Sequence, residues 1–131
     1  MKDMVTILKE LVDAPGVSGQ EGQVRELMNS YLQPLTDEIR LDHLGSIIGR
    51  KTGVQGGPKI MMMGHMDETG FMVSNVSKEG FIFFQPLGGW WAHVLLAQRV
   101  LIKSRKGDFV GVIGSKAPHM LTEEESKEVR K

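Results

Sequence analysis

The hydrophobic period of this chain changes along its length, and that change limits the fold more than any other feature. Met4, Ile7, Leu8 and Leu11 fall at i, i+3, i+4 and i+7, which is one apolar stripe of a 3.6-residue helix. Pro15 and Gly16 stop that helix. Ser18 and Glu21 have the S-x-x-E spacing of a capping box, which predicts a second helix start. Val24, Leu27, Met28 and Tyr31, widened by Leu32, repeat the stripe until Pro34 ends it. Beyond Pro34 the period is two. Ile39 and Leu41 alternate with charged neighbours, Asp42 to Gly45 reads as a turn, and Ser46 to Lys51 reads as the returning strand.

The run Ile60-Met61-Met62-Met63 is short, wholly apolar and closed by Gly64, so it predicts a strand buried on both faces of a parallel sheet. From Gly70 the pattern is all strand. Strands are predicted at 71–76 and 81–84, joined by Ser77-Lys78-Glu79-Gly80, and at 98–103 and 109–113, joined by Ser104 to Asp108. Pro86 ends its strand or places it at an edge. Close strand spacing with glycine turns predicts a small barrel or sandwich. The chain therefore divides near residue 68 into an α/β part and an all-β part. Residues 122–131 read as a solvated tail or connector: Thr122 and Glu125 repeat the capping spacing, but Val129 is the one apolar residue of the helix it would start.

Composition excludes several classes. Sixteen basic and 16 acidic side chains cancel. They are also evenly spread, 7 and 8 over residues 1–66 and 9 and 8 over 67–131, so the footprint of a nucleic-acid binder is absent. No cysteine is present, which removes disulfides, thiolate zinc ligands and a cysteine nucleophile. No apolar run approaches the ~20 residues of a membrane span. The acids within the first 13 residues are foreign to a signal peptide. A cytoplasmic protein, with no membrane or nucleic-acid partner, is expected.

Gly64-His65-Met66-Asp67-Glu68 is the strongest local signal of chemistry. His65 and Asp67 are two residues apart, so in extended backbone they point the same way. An imidazole can bind a divalent metal through one nitrogen while a carboxylate holds the other. By itself H-x-D also describes an ordinary surface pair, and a zinc site needs three or four ligands. His43, His93 and His119 have no ligand-like spacing. Gly53-x-x-Gly56-Gly57 lacks the Lys-Ser/Thr of a phosphate loop, and Ser18 lacks the second glycine of a G-x-S-x-G nucleophile turn. Helix capping accounts for Ser18 at this level. Trp90 and Trp91 read as buried or interfacial, more than as a sugar-stacking platform.

Several stretches together resemble the M42 metallo-aminopeptidases, which include glutamyl, deblocking and tetrahedral aminopeptidases. They are residues 11–21 (LVDAPGVSGQE), the Asp42-x-x-Gly45 turn, and above all His65-Met66-Asp67-Glu68 followed by Gly70-Phe71-Met72-Val73. Gly88-Gly89-Trp90, Gln98-Arg99-Val100 and Gly111 to His119 fit in the same order. The resemblance implies a truncated α/β zinc-peptidase-like part over residues 1–68. A small all-β barrel over 69–121, the PDZ-like dimerisation domain of that family, would follow. It further implies that His65 is a ligand in a dinuclear zinc or cobalt centre and that Asp67 is the catalytic-site carboxylate that orients it. The implied activity is removal of N-terminal residues from peptide substrates by a homo-oligomer associating through the barrel.

Departures from the family pattern are Ser46, where asparagine is frequent, and Ala117, where proline is frequent. The remaining family ligands and the general-base glutamate have no counterparts here. The chain thus reads as the N-terminal part of an aminopeptidase, inactive alone. The alternative reading is a non-catalytic oligomerisation or binding module. A glycan hydrolase, suggested by the tryptophan pair, would need two flanking carboxylates and ranks last. The seven aromatics from Phe71 to Phe109 predict self-association, with Trp90 and Trp91 at or near the contact.

Overall fold

The computed structural model describes residues 2–116 and 118–124. The order of elements is two helices followed by three antiparallel hairpins. The chain forms two compact units, Met1–Trp90 and Trp91–Lys131. The boundary expected near residue 68, between an α/β part and an all-β part, falls inside the first unit.

In the first unit, α1 (Met4–Asp13) and α2 (Gly22–Leu32) follow the two helical stripes. Asp3 caps α1, its side chain accepting from the Val5 and Thr6 amides at 3.0 and 3.1 Å. Hydrogen bonds from the Thr6 hydroxyl and amide hold the Asp3 carboxyl below its ordinary value. Tyr31 of α2 donates its hydroxyl to Glu10 of α1, tying the two helices together. The capping box predicted for α2 does not form. Its N-cap is Glu21, with no side-chain cap bond, and the Glu21 carboxylate accepts instead from the Gly19 amide at 2.6 Å.

β1 (Glu38–Leu41) and β2 (Ile47–Arg50) form the hairpin expected after Pro34. Its turn is built on Asp42, which accepts from the Leu44 and Ser46 amides at 2.9 and 2.8 Å while Gly45 takes a φ of 91°. Contacts from Ser46, side chain first, hold the Asp42 carboxyl below its ordinary value. β3 (Gly70–Val76) pairs with β4 (Ile82–Leu87) around the predicted turn, with a bulge between Val73 and Asn75. Pro86 lies opposite Phe71 in a sheet of two described strands, an edge position that tolerates proline.

In the second unit, β5 (Arg99–Ser104) and β6 (Gly107–Val112) are in register from Arg99↔Val112 to Ser104↔Gly107. Ile113 is buried there, and its backbone bonds Ala97 and Gln98 at 2.9 Å each.

One expectation is corrected. Ile60-Met61-Met62-Met63 is neither a strand nor buried: these side chains are 81, 79, 91 and 84% exposed. A strand exists only through its neighbours, and among the described residues none pairs with this run. The all-β stretch contributes the hairpins β3–β4 and β5–β6, each a two-stranded sheet among the described residues. The capping spacing at Thr122 and Glu125 involves Glu125, which lies outside the described residues.

The core is correspondingly small. Val24 and Ile113 are the buried hydrophobic side chains among the described residues. Phe71 provides a lesser centre, edge-on to Phe84 at 4.8 Å and stacked on Trp90 at 5.0 Å.

Candidate functional site

The segment carrying His65 is irregular, and it is held by the connection between α1 and α2. Val17 and Glu68 form a parallel bridge. The Glu68 amide donates to the Gly16 carbonyl at 2.8 Å, and the Gly16 amide donates to the Glu68 carboxylate at 3.0 Å. Glycine is required at both ends of this clip. A Cβ on Gly16 would lie 2.5 Å from Val24, and one on Gly70 would lie 2.2 Å from Val17.

Gly70 is also where the aromatic cluster is anchored, since the Trp90 indole N–H donates to its carbonyl at 3.0 Å. Gly70→Ala is therefore expected to destabilise the first unit by ~1–3 kcal/mol, the usual cost of overpacking. Chemical denaturation followed by tryptophan fluorescence measures it, and an unchanged midpoint would show that Val17 yields freely.

Upon this clip His65 and Asp67 meet. His65 Nδ1 lies 3.0 Å from Asp67 Oδ1 and 2.9 Å from the Asp67 carbonyl oxygen. Both partners are acceptors, so Nδ1 must carry the proton. In the neutral ring the lone pair is then on Nε2, the atom suited to a metal. The His65 side chain is 85% exposed, so Nε2 is accessible. The second carboxylate oxygen of Asp67 accepts a hydrogen bond from the Ser18 hydroxyl. The Ser18 bond above all holds the Asp67 carboxyl below its ordinary value; burial opposes it, and the bond and charge of His65 add to the lowering.

The expected proximity of His65 and Asp67 is present, although the expected strand beneath them is not. Among the described residues no three His, Asp or Glu side chains group as a metal cage. His65 Nε2 is a donor suited to a metal, and the described residues add no cage around it. Two participants escape sequence reading. Ser18 has the spacing of a helix cap, and Glu68 looks like a solvated neighbour of Asp67. The Val17-Ser18-Gly19 stretch within the family-like segment was the available signal.

A family model described as M42 glutamyl aminopeptidase matches residues 45–131, more than half of the chain. The chain belongs to the M42 glutamyl aminopeptidase family. A second model, AMPT, matches residues 2–28. The M42 chain is 44% identical over 125 residues to FrvX of Escherichia coli K12, covering 95% of itself and 35% of that protein. It superposes with a TM-score of 0.84 and 45% identity on the TET aminopeptidase of Thaumarchaeota archaeon SCGC AB-539-E09, covering 94% of itself and 34% of that chain. The TET1 peptidase of Pyrococcus horikoshii, described as able to assemble into a tetrahedron or a large octahedral shell, matches at a TM-score of 0.73 and 30% identity. That match covers 92% of this M42 chain and 36% of the TET1 chain. The chain thus spans about a third of the length of these relatives. No helix among its described residues is long and apolar enough to cross a membrane.

Proposed function

We propose that this chain supplies one metal ligand, His65, and its orienting carboxylate, Asp67, to a cytoplasmic metal-dependent aminopeptidase acting on peptide N-termini. The observation that carries this reading is the His65–Asp67 pair, which assigns the proton to Nδ1 and leaves Nε2 as an exposed donor. A bound divalent ion, zinc or cobalt, would supply an activated water. Asp67 fixes the ring, and the clip between residues 16–18 and 67–68 fixes Asp67. The other ligands of a two-metal centre, and the general base, would come from outside the described residues. The family's PDZ-like barrel is proposed for residues 69–121, the stretch that carries the β3–β4 and β5–β6 hairpins. The proposed homo-oligomer rests on the assemblies of the TET relative. Taken by themselves, the described residues have the ligand count of a non-catalytic module.

Assay of the protein at the full length of its relatives tests the reading. Chelation is expected to stop release of nitroaniline from aminoacyl-nitroanilides, and zinc or cobalt to restore it. His65→Ala is expected to abolish it. Asp67→Asn is expected to lower metal affinity or activity by ~10–100-fold, as loss of a ligand-orienting carboxylate does. Hydrolysis indifferent to chelator and to His65→Ala would overturn the reading.

A further inference from the structure

The Ser18 hydroxyl has three possible uses in this fold, and two are excluded by its neighbours. It does not cap α2, whose N-cap is Glu21 and whose start carries no side-chain bond. It does not close the local turn: the Gln20 amide bonds the Val17 carbonyl at 2.8 Å, and the Gly19 amide bonds Glu21. Its hydroxyl hydrogen goes to a carboxylate 49 residues away. There it meets the oxygen of Asp67 that His65 does not use.

A carboxylate held at one oxygen can swing about its Cβ–Cγ bond, whereas one held at both cannot. We propose that Ser18 is a positioning residue for His65: by pinning Asp67 from the far side, it keeps the proton on Nδ1 and the lone pair on Nε2. The α1–α2 connection is thereby coupled to the ligand atom. Its backbone is clipped at Gly16 and Val17 to Glu68, and its side chain is clipped at Ser18 to Asp67. Gly19, with a φ of 85°, turns the chain immediately after Ser18, in a conformation that L side chains rarely adopt.

This inference rests on reading His65 as a ligand, but its test needs no metal. The ring nitrogens of the 15N-labelled 131-residue chain report the tautomer directly in long-range 1H–15N spectra above the histidine titration range. His65 is assigned by the signal lost in His65→Gln. In the unsubstituted chain the neutral ring is expected to carry its proton on Nδ1. Ser18→Ala is expected to shift the tautomer ratio about fivefold towards Nε2–H, the equivalent of one ordinary hydrogen bond. Ser18→Thr, which keeps a hydroxyl, is expected to restore it.

Slowed exchange of the Glu68 amide, retained in Ser18→Ala, would show that the backbone clip survives. An unchanged tautomer in Ser18→Ala, or a Ser18→Thr chain that behaves like it, overturns the proposal. So does loss of the tautomer together with protection at Glu68, because the hydroxyl would then only hold the loop. A zinc titration followed at His65 Nε2 tests the ligand reading separately, since it can fail while the tautomer result stands.

Discussion

With zinc or cobalt added, the 131-residue chain is expected to hydrolyse an aminoacyl-nitroanilide no faster than the metal buffer alone. A catalytic zinc site uses three protein ligands and leaves one position for water. The described residues bring one lone pair, that of His65 Nε2, to the site, and no three candidate ligands group among them. Asp67 accepts from His65 at one oxygen and from Ser18 at the other, which sets it as the carboxylate that orients the ring. The Glu68 carboxylate accepts from the Gly16 amide, as part of the clip. The protein at the full length of its relatives is the positive control. Metal-dependent turnover by the short chain that disappears in His65→Ala would defeat this account, since it would require ligands the described residues do not assemble.

The second large effect is on association. The chain is expected to sediment at micromolar concentration well above its monomer mass of 14.6 kDa. Ile60 to Met63 form a continuous apolar segment with every side chain at least 79% exposed, and exposed patches of that kind mark interfaces or aggregation sites. Met61→Lys with Met63→Lys is expected to move the sedimentation coefficient towards that of the monomer. The two tryptophans should behave differently. Trp90 is stacked on Phe71 and bonded to Gly70, so Trp90→Ala is expected to reduce stability more than association. Trp91 is 69% exposed beside His93, and Trp91→Ala is expected to weaken association. A chain that remains monomeric at these concentrations, with or without the substitutions, would show that these surfaces do not self-associate.

What the amino-acid sequence determined by itself is local. The stripe of α1, the stops at Pro15 and Pro34, the Asp42 turn, both later hairpin turns and the closeness of His65 to Asp67 all follow from contacts within a few residues. Propensity, proline geometry and side-chain to backbone bonding act at that range. What only the tertiary structure decided involves choices between partners far apart in the chain. Ile60 to Met63 has the composition of a buried strand, but a strand needs neighbours to satisfy its backbone, and none among the described residues pairs with it. Ser18 has the spacing of a helix cap, yet its hydroxyl has one proton to donate. A cap would have that hydroxyl oxygen accept from a backbone N–H, but here the hydroxyl donates to the Asp67 carboxylate, a charged acceptor brought within reach by the Val17–Glu68 bridge.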